Sequence, residues 1–259
     1  MNDQESVGRT LAVATVVAVV CSLIVSVTVY WLRPIQLAMR SVEQNRAVLI
    51  AAGLAEPTAT LEDSEVVARF LSIETRLADL DAASFVAADA SMVAAYDFRA
   101  AADDPERNRA IDADADLASL GTRPIVMPVY LLQDGARLER IILPVYGRGM
   151  WSTIYGYIAL RGDLITVADV WFYEHGETAG IGDRILDPDW LTSWTDKRAY
   201  LPTGEVQLRI GSPTETTPEL AVDSITGATV TVNAVDLFVR YWLGDDGYGP
   251  LLNRMRAGS

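Results

Sequence analysis

The chain has 259 residues and a formal net charge of −14, with 35 acidic side chains against 21 basic ones. Binding a phosphate backbone needs clustered Lys and Arg, so this balance argues against a nucleic-acid partner. A single cysteine, Cys21, and a single histidine, His175, exclude an internal disulfide and any Cys/His zinc or iron–sulfur site made by this chain alone.

After a short tail, residues 1–10, the segment from Leu11 to Leu32 carries no charge. A run of about 22 residues makes a helix long enough to cross a hydrocarbon core of roughly 30 Å. Thr15, Ser22, Ser26 and Thr28 do not veto insertion, because hydroxyls return hydrogen bonds to their own helix. Tyr30 and Trp31 stand at one end as interfacial aromatics, and Arg33-Pro34 is read as the membrane exit. The run is too long for a signal-peptide core and no small-x-small cleavage site follows it, so residues 11–32 are expected to be an uncleaved anchor. Within it, Cys21 is read as a small buried hydrophobe. Arg9 precedes the anchor while Arg33, Arg40 and Arg46 follow it; the positive-inside tendency alone would leave residues 33–259 in the cytoplasm.

Apolar residues at helical spacing predict a helix from Ile35 to Leu54, stopped by Gly53. A break at Glu56-Pro57-Thr58 precedes a second expected helix, Leu61 to Leu80. The stretch from Ala100 to Asp116 is rich in Ala and Asp and reads as a solvated loop or a short helix. Strands are expected at Ile125 to Leu132, Ile141 to Tyr146, Ile154 to Leu160 and Ile165 to Phe172. The turn residues Asp134-Gly135 and Arg161-Gly162-Asp163 lie between pairs of them. Hairpin-length connections favour antiparallel pairing, so residues 33–259 read as one α+β domain with packed helices. No P-loop and no GxGxxG fingerprint occurs.

Val235, Phe238, Val239 and Trp242 lie at i, i+3, i+4 and i+7 of a further helix closed by Gly244, with Asp236 and Arg240 as an i,i+4 pair. Its N-terminus falls between Thr229 and Val232, just after Thr226-Gly227-Ala228-Thr229. Gly227 and Ala228 leave room for a bulky phosphate to approach the Thr229 hydroxyl, and helix-start N–H groups favour an anion. The alternative from the local pattern is that Thr229 or Thr231 simply caps the helix. Glu177-Thr178-Ala179-Gly180-Ile181-Gly182 has the glycines of a loop that approaches a ring or phosphate, or of a turn between packed elements. Trp151 is either core or a stacking surface. His175 completes no Ser-His-Asp arrangement and is assigned no role as a base.

Several landmarks occur together: Trp151-Ser152-Thr153-Ile154-Tyr155-Gly156-Tyr157, His175 through Gly182, Trp190, Trp194, Asp223-Ser224-Ile225-Thr226-Gly227-Ala228-Thr229, and Trp242-Leu243-Gly244 through Gly249-Pro250. With Arg33-Pro34-Ile35-Gln36 after the anchor, the chain resembles, along nearly its whole length, the C-subunit family of the sodium-translocating NADH:quinone reductase. The resemblance implies a membrane-anchored flavoprotein that relays electrons one at a time within that complex. It implies FMN joined through its phosphate to the Thr229 hydroxyl, with Thr226, Gly227, Ala228 and Asp223 in the attachment motif. Glu177, Thr178 and Gly180 would line the flavin, Thr178 hydrogen-bonding its polar edge, and Trp151 would lie near the ring system. The partners implied are the other reductase subunits, the membrane, and a flavin transferase that delivers FMN from FAD; Asp223 is read as helping that transferase recognise Thr229, or else as an ordinary turn or cap aspartate. The implied location is the bacterial inner membrane, with one pass and the large domain on the periplasmic side, opposite to the flanking charges. Thr226 stands where the family usually has Ser, Val232 follows Thr231 where a Thr-Ser pair is usual, and Ala179 stands where Pro is frequent. Two alternatives remain: the equivalent flavoprotein of the ferredoxin-coupled Rnf complex, and an anchored binding module without cofactor.

Overall fold

The computed structural model describes residues 7–211 and 218–258, so most of the predicted tail, residues 1–6, lies outside the described residues. The chain divides into two units, Met1–Glu43 and Gln44–Ser259. Helix α1 (Val7–Ala51) begins in the first and ends in the second.

In the first unit, Gly8–Arg33 has a mean hydropathy of 2.6 and none of it is buried, so this helix is long and apolar enough to cross a membrane. Thr28 Oγ1 donates to the Ile24 carbonyl at 2.8 Å, returning its hydroxyl to the helix as expected. Cys21 is exposed on the helix surface, which corrects its reading as a buried residue. The apolar span ends at Arg33, next to the expected membrane exit, and α1 itself runs on through Pro34. One proline removes a single rung of the helix ladder, and neighbouring turns carry the direction on.

The second unit opens on the end of α1, where Ala47 to Ala52 are buried. Gly53 stops the helix as predicted: its φ is +71°, its N–H reaches the Ile50 carbonyl, and the Leu54 N–H reaches back to Leu49 at 2.8 Å. The expected helix from Leu61 to Leu80 is only half present. Helix α2 (Asp63–Phe70) ends at a turn closed by Ser72, and strand β1 (Glu74–Asp79) follows. Six residue pairs with a later strand, Glu74↔Leu131 through Asp79↔Val126, hold this segment extended, so sheet pairing overrides its helical pattern. Next come β2 (Ser84–Phe85), α3 (Ala90–Ala95), α4 (Phe98–Asp103), β3 (Asn108–Ala110) and β4 (Thr122–Pro124). Asp89 and Asp97 cap the two short helices through their side chains. The Ala/Asp-rich stretch thus contains a short helix, but α4 buries Phe98 and Ala101.

The four predicted strands form as β5 (Val126–Asp134), β6 (Arg137–Arg148), β7 (Thr153–Arg161) and β8 (Val167–Glu174). They join β1 and β2 in a six-stranded antiparallel sheet of order β2-β1-β5-β6-β7-β8. Beyond it lie a 3-10 turn (Gly182–Leu186), α5 (Pro188–Thr192), β9 (Arg209–Ile210), β10 (Ala221–Val222), α6 (Thr229–Leu243) and α7 (Gly249–Ala257). β9 and β10 form a separate parallel pair, and β3 with β4 an antiparallel one.

Strand alternation sends two different sets of side chains to the two faces of the sheet. On one face Phe172 meets Phe238 of α6 and Trp190 of α5, with ring centroids 6.2 and 6.3 Å apart. A methyl at Gly147 would lie 2.4 Å from the Phe238 Cβ, so glycine there sets how closely α6 approaches β6. On the other face a chain of ring contacts runs from Tyr130 to Tyr157, Tyr173, Tyr155 and Tyr146. Tyr173 is an extra residue between Tyr155↔Glu174 and Gly156↔Phe172, a bulge in the β7–β8 pairing. Arg99 of α4 lies 3.6 Å from the Tyr155 ring centroid and donates to Tyr173 Oη and Glu174.

β6 outruns β5: their pairing stops at Tyr130↔Ile142, which leaves the outer edge of Leu143 to Arg148 without a strand. Side chains from the C-terminus close it. Trp242 Nε1 donates to the Tyr146 carbonyl at 2.7 Å, Tyr248 Oη donates to the Pro144 carbonyl at 2.9 Å, and the Arg148 N–H reaches the Ala118 carbonyl. A proline fits at 144 because no strand needs its missing N–H. A methyl at Gly247 would fall 2.2 Å from the Trp242 carbonyl oxygen, so the Trp-Leu-Gly-Asp-Asp-Gly-Tyr turn needs glycine there.

Burial pushes the Asp169 carboxyl on β8 up to about 6; the Glu56 charge adds to the rise, while the Val170 N–H and Arg140 oppose it. The folded protein therefore holds this proton at pH values where the unfolded chain has lost it. The stability that protonated Asp169 retains is lost as pH rises from about 4 through about 6, and the loss is complete above that. We expect Asp169→Asn to gain stability over the parent at about pH 8 and to gain much less at about pH 4, as measured by urea unfolding at both. Equal gains at both would show that Asp169 titrates normally.

Candidate functional site

Three segments meet at the end of the sheet where β6 turns into β7. The first is the hairpin loop Gly149 to Ser152, closed by the Gly149 N–H on the Ser152 carbonyl at 2.8 Å. The second follows β8, from His175 to Gly182. Its Thr178 carbonyl collects the N–H groups of Ile181, Gly182 and Asp183, and Gly180 has φ +75° in open space. The third is the start of α6.

Glu177 ties the three together. Its side chain is buried, at 7% exposure, and accepts from the Trp151 N–H at 3.1 Å, the Met150 N–H at 3.3 Å and the Thr231 hydroxyl. Methyl groups at Gly149 and Gly182 would come within 2.6 and 2.8 Å of Glu177, so both glycines make room for the carboxylate. Ser152 Oγ adds a further tie by accepting from the Gly176 N–H at 2.6 Å. His175 Nδ1 accepts from the Glu177 N–H at 3.3 Å, a bond local to the loop. The resemblance implies a Glu177 that lines the flavin; its carboxylate instead points inward and is occupied by protein donors. Periodicity and spacing do not show this, because nothing local distinguishes an inward Glu from an outward one in a glycine-rich loop.

The outward-facing groups are different residues. Trp151 is 64% exposed and donates through Nε1 to Thr178 Oγ1 at 3.0 Å. Gly180 and Gly227 have open space where a side chain would be, and Gly227 has φ +88°. Met150, Ile181 and Val230, one from each segment, present large exposed apolar side chains. Thr229 is the first residue of α6 and is exposed. The N-cap is Ala228, which is itself buried, and no side chain caps the helix. The capping alternative therefore fails for both threonines: Thr229 is the exposed first residue of the helix and caps nothing, and Thr231 donates to Glu177. The uncapped first-turn N–H groups, the exposed Thr229 and the open glycine form a place where a phosphate fits.

The loop before α6 is held from behind. Trp190 Nε1 donates to the Asp223 carbonyl at 2.7 Å, Arg184 Nη1 donates to the Thr226 carbonyl at 2.9 Å, and the Ala228 N–H closes on Ile225. The Asp223 carboxylate is exposed and makes no hydrogen bond or ion pair among the described residues, so it is not a cap. Sequence pattern gives no signal for these contacts, nor for that of Thr231 with Glu177. Trp190 stands out in the sequence only as a landmark, and Arg184 only as one cation after the Gly-x-Gly turn.

Residues 149–244 match the FMN-binding domain family, a span that begins in the hairpin loop and ends at the C-cap of α6. Over essentially its whole length the chain is 40% identical to the C subunit of the Na(+)-translocating NADH-quinone reductase of Pseudomonas aeruginosa, covering 99% of that protein. It is 33% identical to the same subunit from Pasteurella multocida, with 99% of this chain and 97% of that one aligned. The crystal structure of NqrC from Shewanella oneidensis superposes with a TM-score of 0.73 at 34% identity, covering 83% of this chain and 97% of that one. The relatives from Pseudomonas and Pasteurella bear the name of the sodium-translocating reductase's C subunit, which favours that reading over the ferredoxin-coupled alternative. A flavin-binding domain built on an antiparallel sheet, preceded in the chain by an apolar N-terminal helix and matched from end to end, establishes that this protein belongs to the C-subunit family of the Na(+)-translocating NADH-quinone reductase.

Proposed function

We propose that this protein carries FMN covalently, as a phosphate ester on the Thr229 hydroxyl, and serves as a one-electron relay within a sodium-translocating NADH:quinone reductase. FMN, when bound, supplies a centre that takes up and releases electrons singly; the protein supplies its place and surroundings. The observation that carries the reading is the state of Thr229, exposed at the first position of an uncapped α6 beside an open Gly227. In this reading Thr226, Gly227 and Ala228 shape the approach to the hydroxyl. Trp151 offers an exposed ring, held by Thr178, against which a flat heterocycle packs. Gly180 leaves the second loop open to it, and the Glu177 clasp fixes the loops from below. The exposed Asp223 carboxylate is a recognition handle for the flavin transferase, and nothing in the fold competes for it.

The segment 11–32 is proposed as a single-pass anchor in the inner membrane, with residues 33–259 as the flavin domain on the periplasmic side beside the other subunits. Covalent attachment keeps the cofactor with a domain that stands outside the cytoplasm.

The test is flavin fluorescence of the denatured protein on a gel after co-expression with a flavin transferase. Wild type should give a fluorescent band and Thr229→Ala none, with Asp223→Ala loading more slowly. A band that survives in Thr229→Ala would move the attachment elsewhere. No band in either would leave the anchored binding module as the better reading.

A further inference from the structure

Arg184 lies in the 3-10 turn that follows the glycine loop, and its Nη1 donates to the Thr226 carbonyl at 2.9 Å. This one bond occupies one of five guanidinium donors. Arg184 is exposed and has no carboxylate partner among the described residues, in a chain where acidic groups outnumber basic ones by 35 to 21. An unpaired cation fixed by its tip to a backbone carbonyl is oriented by that bond, with the rest of its planar fork directed elsewhere. The residue it holds, Thr226, precedes the glycine at φ +88° and stands three positions before Thr229. The same loop presents the exposed Asp223 carboxylate, whose charge opposes any anion brought to Thr229.

We infer that Arg184 is a phosphate-binding residue: its free N–H groups grip the phosphodiester on Thr229 and offset the charge of Asp223. The inference rests on the assignment of Thr229 as the attachment site. Guanidinium suits the task because two parallel N–H donors match two phosphate oxygens, and because it stays charged at every physiological pH. The phosphodiester has one negative charge and two non-bridging oxygens, which Arg184 and the first-turn amides of α6 would share from two sides. Arg184 would then do two things with one side chain, tying the acceptor loop to the 3-10 turn and holding the ligand placed on it.

The test compares wild type, Arg184→Gln and Arg184→Lys, each loaded by the transferase, by phosphorus NMR of the intact protein and again in urea. In wild type the folded protein should show a phosphodiester resonance displaced from its position in urea. In Arg184→Gln, with circular dichroism showing a native fold, that displacement should shrink or the protein should fail to load; Arg184→Lys should restore part of either loss. A folded Arg184→Gln that loads fully and keeps the wild-type resonance overturns the inference while leaving Thr229 as the attachment site. Absence of a covalent phosphorus signal in wild type overturns the attachment reading itself, and the inference with it.

Discussion

Trp242→Ala is expected to cost most of the stability of the second unit. The side chain is fully buried, with ring centroids 4.8 Å from Tyr146, 5.4 Å from Tyr241 and 5.6 Å from Tyr248. Emptying such a site costs about 3–5 kcal/mol in lost transfer energy and cavity. A second loss adds to it, because the Tyr146 carbonyl loses the indole N–H on an edge where no strand replaces it, at about 1–3 kcal/mol. Against a total of about 5–15 kcal/mol for an ordinary domain, the sum is enough to leave much of the population unfolded. Trp242→Phe separates the two contributions, since it keeps most of the ring and loses the bond. Urea unfolding of the full chain in detergent should rank wild type, Phe and Ala in that order. An Ala variant within about 1 kcal/mol of wild type would show that the edge closure is dispensable.

The second large effect is expected at Glu177, and it should be local as well as global. Replacing this carboxylate by alanine strands three donors that now end on it, two loop amides and the Thr231 hydroxyl. Breaking a buried charged network of this kind costs about 3 kcal/mol or more. The three site segments share few other bonds, so hydrogen exchange at residues 149–152 and 176–182 should accelerate much more than exchange in the β6–β7 ladder. Glu177→Gln should fall between, because it keeps one acceptor oxygen but turns an NH2 group toward protein donors. Unchanged exchange in the loops of Glu177→Ala would mean that the glycines and Ser152 suffice to hold the site.

Much of this architecture is legible in the chain because its signals are local. The four central strands are alternating or continuous apolar runs broken by Asp134-Gly135 and Arg161-Gly162-Asp163, and they fold where those breaks place them. The α6 pattern at Val235, Phe238, Val239 and Trp242 gives both its buried face and its start. What is not legible depends on distant partners. Residues 74–79 become a strand because Val126 to Leu131 lie beside them, a pairing across some fifty residues that no periodicity in Leu61 to Leu80 contains. That the anchor and the next helix are one continuous α1 through Pro34 is likewise not written in the local pattern, which reads them as two segments. Glu177, in the middle of a motif that invites a ligand-facing role, faces inward because Thr231 and the hairpin amides sit beneath it. Thr229 and Gly227 are a different case: resemblance singles them out, and the structure adds the independent observation that the hydroxyl is not used by the fold.

The closure of β6 by Trp242 and Tyr248 also bears on the order of assembly. The two bonds join residues 96 and 104 positions apart. Contacts of that separation must overcome the entropy of a long closed loop before they return any stability, so they form after the local hairpins. The helix whose far end supplies Trp242 is the one whose near end holds Thr229. During synthesis, the sheet therefore waits for its last fifth of sequence, and the threonine takes its final setting only after the strand edge next to its helix is sealed. A chain cut short after α6 begins would keep its hairpins and Thr229 while lacking the lock that gives that residue a fixed place.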